Sequence, residues 1–393
     1  MVPEGWQSGK IGDLCSLQNG RGFKPEEWDK AGLPIIRIQN LNGNQSFNYF
    51  SGEPLDKWLV QPGQMLFAWA GTKGVSFGPF IWQGPVGVLN QHIFKVFPKK
   101  MAYAPWLFLA LRQLTDVIET RAHGFKATLV HVKKGEIENS QILIPPLPEQ
   151  KKIAEILSTW DRAIEVAERQ LENARLQKKA LMQQLLTGTR RLPGFDGEWK
   201  TVKLGDVANI ERGKFSARPR NDPRFFQGGT HPFVQTGDVT NSQVYLRSAS
   251  QTLNEAGLGV SKVFPVGTVL MTIAANIGEV ALTTFPVACP DSIVGISPLP
   301  NEILAYWLHQ RLEIEKENLD RLAPKLAQKN INLETLKPLS IKVPTLEEQH
   351  FISDILSSLD HLIELALGKL THLRTEKRAL MQQLLTGKKR VTV

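Results

Sequence analysis

LPEQKKIAEILSTWDRAIE, residues 147–165, returns as LEEQHFISDILSSLDHLIE at 346–364. The same offset of 199 residues carries KKALMQQLLTG, ending at Gly188, onto KRALMQQLLTG, ending at Gly387, and about half of the positions between are identical. An internal duplication follows from the sequence alone. Weaker echoes extend it. Trp6 with GKIGDL and then Gly20 answer Trp199 with VKLGDV and Gly213, QPGQMLF around Gly63 answers PVGTVLM around Gly267, and ILIPPLPEQ answers IKVPTLEEQ. The chain reads as domain, helix, domain, helix.

Within each repeated segment the apolar residues alternate at spacings of four and three. The first seam is Ile153, Leu157, Trp160, Ile164, Ala167, Leu171, Ala174, Leu181 and Leu185; the second is Ile352, Leu356, Leu359, Ile363, Ala366, Leu370, Leu373, Leu380 and Leu384. Lys178 and Lys377 fill the one polar position in each. A heptad seam of this length predicts coiled-coil helices that start after a proline-rich stop and end at Gly188 or Gly387. Each polar lysine is expected either to fix register or to reach outward along its own stem.

Forty helical residues span roughly 60 Å, and a domain of about 150 residues is roughly 40 Å across. Parallel helices would oblige the second domain to carry the chain back the whole length of the rod, whereas antiparallel helices let the second start where the first ends. The expected arrangement is an antiparallel coiled coil with approximate two-fold symmetry. The expected segments are a first recognition domain at 1–146, a spacer helix at 147–188, a second domain at 189–344, a second helix at 345–388 and a basic tail at 389–393.

Composition sets the outer bounds. A chain of 393 residues holds two or three domains, and 42% apolar with 22% charged residues excludes disorder. Lys and Arg exceed Asp and Glu, 47 to 38, which favours a polyanionic partner. Cys15 and Cys289 have no metal-ligand or redox spacing, and the eight histidines form no ligand set, so neither a disulfide framework nor a metal is expected. The N-terminal residues lack an apolar signal core, pointing to the cytoplasm. The apolar stretch from Val266 to Ala288 holds Gly267, Asn276, Gly278, Glu279 and Pro286. It reads as two buried strands about a turn rather than a membrane span.

The globular halves are expected to be α+β: mixed α/β modules with antiparallel-rich sheets. Strand-type runs are LPIIRIQNL, QMLFAWAG and HIFKVF in the first, and HPFVQTGDV, TVLMTIAAN and SIVGISPL in the second. Each half has one helix near its end, from Pro105 to about Thr120 and from Asn301 to about Leu319. Punctuation is shared but chemistry is not. The first half has an aromatic, amide-rich run containing Trp28, Arg37, Gln39, Asn40, Asn42, Asn44, Gln45, Phe47, Asn48, Tyr49 and Phe50; the second has a basic cluster, Arg212, Lys214, Arg218, Arg220 and Arg224, followed by Gln235, Asn241 and Gln243. Duplicated spacers with diverged heads suggest one task performed on two targets.

In this arrangement the chain resembles the specificity subunit of type I restriction-modification enzymes. The residues that carry the resemblance are IPPLPEQKKIAEILSTWD and VPTLEEQHFISDILSSLD, the paired LMQQLLTG ends, and the openings QNGRGFKPEEW and LPIIRIQNL. It spans essentially the whole chain, with RGKFSARP in the second half following the pattern loosely. The resemblance implies a non-catalytic subunit whose two recognition domains each read half of a bipartite, asymmetric double-stranded DNA site. It also implies helices that set the separation and bind two methyltransferase subunits, joined by two restriction subunits. S-adenosylmethionine would then belong to the methyltransferase, ATP and Mg to the restriction subunit, and no cofactor to this chain.

Reading base edges takes Arg, Lys, Asn and Gln in the grooves, with further basic residues on phosphates. The DNA-contacting candidates are Arg21, Lys24, Arg37, Gln39, Asn40, Lys73 and the loop from Arg121 to Lys126 in the first half. In the second they are Arg212, Lys214, Arg218, Arg220, Lys262, Lys325 and Lys329. Taken singly each is also an ordinary solvated charge, and AGTKGV around Lys73 is also a turn. At the helix ends, Met182, Gln183, Gln184, Leu186 and Thr187 recur as Met381, Gln382, Gln383, Leu385 and Thr386, while other off-seam positions such as Glu168 and Leu367 diverge. Two matching surfaces fit one partner bound twice. The competing reading is a shared helix ending that packs back on the neighbouring domain.

Catalysis within the chain is the rival class, but no phosphate loop, HExxH, GxSxG or methyltransferase Asn/Asp-Pro-Pro-aromatic motif occurs. Asp291 after Pro290 lacks the Glu-x-Lys that would complete a metal nuclease. A protein-only coiled-coil adapter is the third class, and it predicts no salt-dependent DNA affinity.

Overall fold

The computed structural model describes residues 2–121, 129–274, 276–322 and 330–392. It divides into two compact units, Met1–Glu168 with Lys369–Val393, and Arg169–Gly368. Each unit therefore holds one globular domain, the start of the long helix that follows it and the end of the other long helix.

In the first unit a four-stranded antiparallel sheet runs in the order Cys15–Asn19, Ile93–Pro98, Met65–Ala68, Gly78–Ile81. A second sheet, in the order Tyr49–Phe50, Leu33–Ile36, Gly87–Leu89, Leu59–Val60, contains one parallel pair, with Ile35 opposite Val88. The second unit repeats this plan. Its larger sheet runs Ala208–Arg212, Ile293–Pro298, Val269–Thr272, Val280–Thr283, Tyr245–Leu246, and its smaller one Gln251–Leu253, His231–Phe233, Val287–Ala288, Val263–Phe264. The apolar stretch from Val266 supplies Val269–Thr272 and Val280–Thr283, antiparallel neighbours with Met271 opposite Val280. Among the described residues no helix is long and apolar enough to cross a membrane.

Two strand expectations are corrected by side-chain chemistry. LPIIRIQNL is extended only over Leu33–Ile36 and turns helical at Ile38–Leu41, because the Arg37 N–H donates to Asn40 Oδ1 at 3.0 Å and starts a helical turn there. HPFVQTGDV does the same: the strand is His231–Phe233, and the Gln235 N–H donates to Asp238 Oδ2 at 2.8 Å at the start of Thr236–Asn241. The domain helices are Ala104–Arg121 in the first unit, and Ala305–Glu313 with Lys316–Leu322 in the second. The second is shorter and broken relative to expectation. Asn301 takes a left-handed φ of 62° and belongs to the preceding turn, and Lys316 is held by an ion pair to Glu279 at 2.5 Å. Trp106 and Trp307, fully buried at matching positions, centre the two cores.

The long helices are Leu147–Leu185 and Leu346–Leu385, each followed by a glycine in the left-handed region, Gly188 at φ 72° and Gly387 at φ 69°. Their direction is decided inside each unit. In the first, Lys377 pairs with Asp161, and Arg374 with Glu168 at 2.6 Å, so one helix number falls as the other rises. In the second, Lys178 pairs with Asp360 at 2.6 Å, and Met182 and Leu185 share a core with Ile352 and Leu356. The helices are antiparallel. Both seam lysines meet an aspartate of the opposing helix, which fixes register by charge as well as by packing.

The repeated Glu-Gln pair has a structural explanation. Glu149, buried in the first helical turn, accepts from Trp6 Nε1 at 2.8 Å and from Arg390 Nε and Nη2 at 2.7 and 2.9 Å. Glu348 accepts from Trp199 Nε1 at 3.1 Å and from Arg191 Nε and Nη2 at 2.8 Å each. Each guanidinium also lies 5.6 Å from its indole. Burial alone would raise the Glu149 carboxyl, but the bonds from Arg390 and Trp6 outweigh it and hold it below the usual range. Gln150 and Gln349 tie the same turn to the loop before the domain helix, accepting from the backbone N–H of Tyr103 and of Leu304 at 2.8 Å.

Candidate nucleic-acid interface

The two domains build one corner at the end of their first core strand. Gly20 ends Cys15–Asn19, and its N–H donates to the Ile93 carbonyl at 3.0 Å; Gly213 ends Ala208–Arg212 and donates to Ile293 at 2.8 Å. Neither tolerates a side chain: a Cβ would collide with the Asn90 carbonyl in one and the Pro290 carbonyl in the other. The next layer matches as well. The Trp69 N–H donates to His92 O at 3.2 Å and Trp69 O accepts from Val132, as the Ile273 N–H donates to Ser292 O at 3.0 Å and Ile273 O accepts from Ile331. The backbone is the same; the side chains are not. Asn19, Arg21, Trp69, Gln91, His92 and His131 stand where the second domain has Arg212, Lys214, Ile273, Asp291, Ser292 and Asn330.

In the first domain this corner is amide and imidazole. Trp69 Nε1 donates to Asn19 Oδ1 at 3.2 Å, and the indole meets His131 edge-on at 4.7 Å and His92 at 5.1 Å. Arg21, expected to contact DNA, is occupied elsewhere. It pairs with Glu27 and lies 4.6 and 4.9 Å from the Trp58 and Phe23 rings, so its charge is spent bracing an aromatic cluster. Asn40 is corrected outright. It is buried, its Oδ1 accepts from the Arg37 N–H, and its Nδ2 donates to the Asn44 and Ser46 carbonyls at 2.9 and 3.0 Å, leaving nothing for a base. Arg37 reaches Asn48 Oδ1 at 2.9 Å and Gln39 Oε1 at 3.1 Å and covers Trp28. Lys24, Gln39, Lys73 and Arg121 are exposed. Lys73 sits in a turn closed by Ser76 Oγ accepting from the Thr72 N–H at 2.7 Å.

In the second domain the corner is cationic. Arg212 donates through Nε to the Asp291 carbonyl, and Arg220 pairs with the Asp291 carboxylate at 2.9 Å. Lys214 is exposed beside them, and Lys262 pairs with Glu211. Arg218 folds onto its own backbone, donating to Ala217 O at 2.7 Å. A cavity of about 600 Å³ adjoins this cluster, lined by Phe215, Arg220, Phe226, Gln235, Gln251 and Ser292 among others. Lys126, Lys325 and Lys329 lie outside the described residues. Among the described residues no group of three His, Cys, Asp or Glu side chains is placed to hold a metal ion.

The repeat in the sequence pairs Gly20 with Gly213 but does not reach the residues that face them across the strand. The flanking triplets, Asn19-Gly20-Arg21 and Arg212-Gly213-Lys214, are the signal that would have led to Gln91 and His92 across the strand.

The helix-end expectation is corrected in part. Met182 and Leu186 are buried in the second unit, and Met381 and Leu385 in the first, so their recurrence reflects a helix end packed on its own unit. Gln183, Gln184, Thr187, Gln382 and Gln383 are exposed and Thr386 half-buried.

Fold and corner together define a class of protein in which one recognition domain is built twice on paired antiparallel helices. The profile of the type I restriction modification DNA specificity domain matches residues 3–174 and again 196–374. The chain belongs to that family. It is 28% identical to the type I restriction enzyme MjaVIII specificity subunit of Methanocaldococcus jannaschii, over 99% of this chain and 94% of that one. Its fold matches the type I restriction-modification S subunit from M. genitalium with a TM-score of 0.59 at 16% identity, over 100% of this chain and 97% of that one. A chain solved in work on complex assembly and conformational transition of the type I system matches at 0.60 and 20% identity, over 99% and 100%.

Proposed function

We propose that this chain is the DNA-reading subunit of a type I restriction-modification complex, each globular domain engaging one half of a bipartite, asymmetric duplex site. The observation that carries this reading is the corner built twice on one backbone frame with two chemistries, amide and imidazole around Gly20 and guanidinium around Gly213. A preserved frame with replaced side chains is what two different base sequences demand.

The long helices set the distance between the halves and carry two methyltransferase subunits, to which two restriction subunits add. The half-sites lie about one helical turn apart, so that both domains grip one face of the duplex. The bound methyltransferases flip out one adenine per half for N6 methylation with S-adenosylmethionine, and ATP and Mg serve the restriction subunits in the cytoplasm. This chain's own part is to bind, orient and select.

Mapping methylated adenines across the host genome, with and without this gene, tests the reading: a single bipartite motif should vanish with the gene. Exchanging residues 1–146 for those of a relative should change one half of that motif only, and a change in both halves would refute the modular reading. Inserting heptads into both long helices should widen the gap and leave both halves intact. Affinity for the cognate duplex should fall steeply as salt rises, whereas a protein-only adapter would show no such dependence.

A further inference from the structure

Gln91 is exposed at the tip of the corner and held at both ends of its residue. Its backbone N–H donates to Asn90 Oδ1 at 2.9 Å, and its Nε2 lies 3.3 Å from His92 Nε2. The imidazole is itself fixed against the Trp69 indole. Gly22 leaves the room that the amide oxygen occupies, since a Cβ there would stand 2.7 Å from Gln91 Oε1. One amide hydrogen thus faces His92, and among the described residues neither the second nor the oxygen makes a hydrogen bond, which leaves this exposed residue an adjacent donor and acceptor. Side by side, that pair matches adenine N7 and N6, the bidentate contact that glutamine and asparagine make in the major groove.

At the matching position the second domain has Asp291, which instead orients a guanidinium through its bond to Arg220. A guanidinium presents two donors, the complement of guanine O6 and N7. The neighbouring side chains follow the same division, Asn19 and His92 in one domain against Arg212 and Ser292 in the other.

Resting on the function proposed above, we infer that this corner is the base-reading head of each domain: Gln91, positioned by His92 and Trp69, selects an adenine in the first half-site, and Arg220, positioned by Asp291, selects a guanine in the second. The neutral Gln91 releases no counterions, so it governs which sequence is bound and not how strongly salt competes.

The test uses the full chain co-expressed with its methyltransferase subunits, selecting duplexes from a randomised library and sequencing those bound. Gln91→Ala should lower the preference for adenine at one position of one half-site by about 5- to 150-fold and leave the other half unchanged. Gln91→Glu keeps the shape but only accepts, so it should move the preference at that position towards cytosine. Arg220→Ala should relax one guanine in the opposite half. An unaltered motif in Gln91→Ala, or a uniform loss of affinity with every base preference retained, would overturn the assignment while the wild-type motif kept the specificity reading intact. A wild-type complex that selects no bipartite motif would remove both.

Discussion

Asp360 sits at the one polar layer of the seam in the second unit, and replacing it with asparagine isolates what its charge contributes. Its carboxylate pairs with Lys178 at 2.6 Å and accepts from Tyr306 Oη and, at 3.4 Å, from Gln310 Nε2. The side chains of Lys178 and Asp360 are only 10% and 19% exposed, so Asp360→Asn strands an ammonium inside the rod while keeping an acceptor for Tyr306. Breaking a buried pair costs about 3–5 kcal/mol. Glu313, whose carboxyl is raised chiefly by burial, lies beside the same lysine. It ionises more readily once Asp360 is neutral, which places the loss at about 3 kcal/mol. In a unit of this size that corresponds to roughly 10 °C in unfolding temperature. Lys178→Met added to Asp360→Asn removes the stranded charge and should recover most of the loss. The counterpart Asp161→Asn should cost about 1 kcal/mol or less, because its side chain is 53% exposed. Calorimetry of the three variants against the wild type decides it. If Asp161→Asn and Asp360→Asn cost the same, or if the double variant is no better than Asp360→Asn alone, burial of the pair is not what gives it weight.

Three further outcomes follow from buried groups. His309 is pushed down to about 3 by burial and then by Lys178. Its folded value lies below the unfolded one, so the stability it contributes is present above about pH 6.5 and is lost as pH falls towards 3, up to about 4 kcal/mol. His309→Phe, which installs the residue found at the matching Phe108, should flatten urea-unfolding stability across that window. The lowered Glu149 carboxyl contributes stability above its unfolded value, lost as pH falls through its folded one. Glu149→Gln should remove that acid sensitivity in the first unit, and a pH profile identical to wild type would count against the Trp6–Glu149–Arg390 clasp. Asn40→Ala should loosen the loop at 42–48, detected as faster amide exchange, whereas Gln39→Ala should leave exchange unchanged because its side chain is exposed.

The duplication, the two seam helices, their glycine ends and their antiparallel direction were all legible in the residues. Those features rest on local periodicity and on the length of chain available to close a loop, and both are written along the sequence. The division of chemistry between the heads was legible too, as composition. What only the tertiary structure decided was which polar groups remain available. Arg21 and Asn40 look like readers in sequence, yet folding places a carboxylate and three aromatic rings around the first and satisfies both ends of the second. Gln91 and His92 look like filler before a strand, yet folding sets the Gln91 amide against Gly22 and the His92 ring against Trp69, beside the corner where Gly20 meets Ile93. A side chain's hydrogen-bonding capacity is spent by neighbours distant in sequence, so residue type announces what a protein could recognise, and packing determines which residues are left to do it.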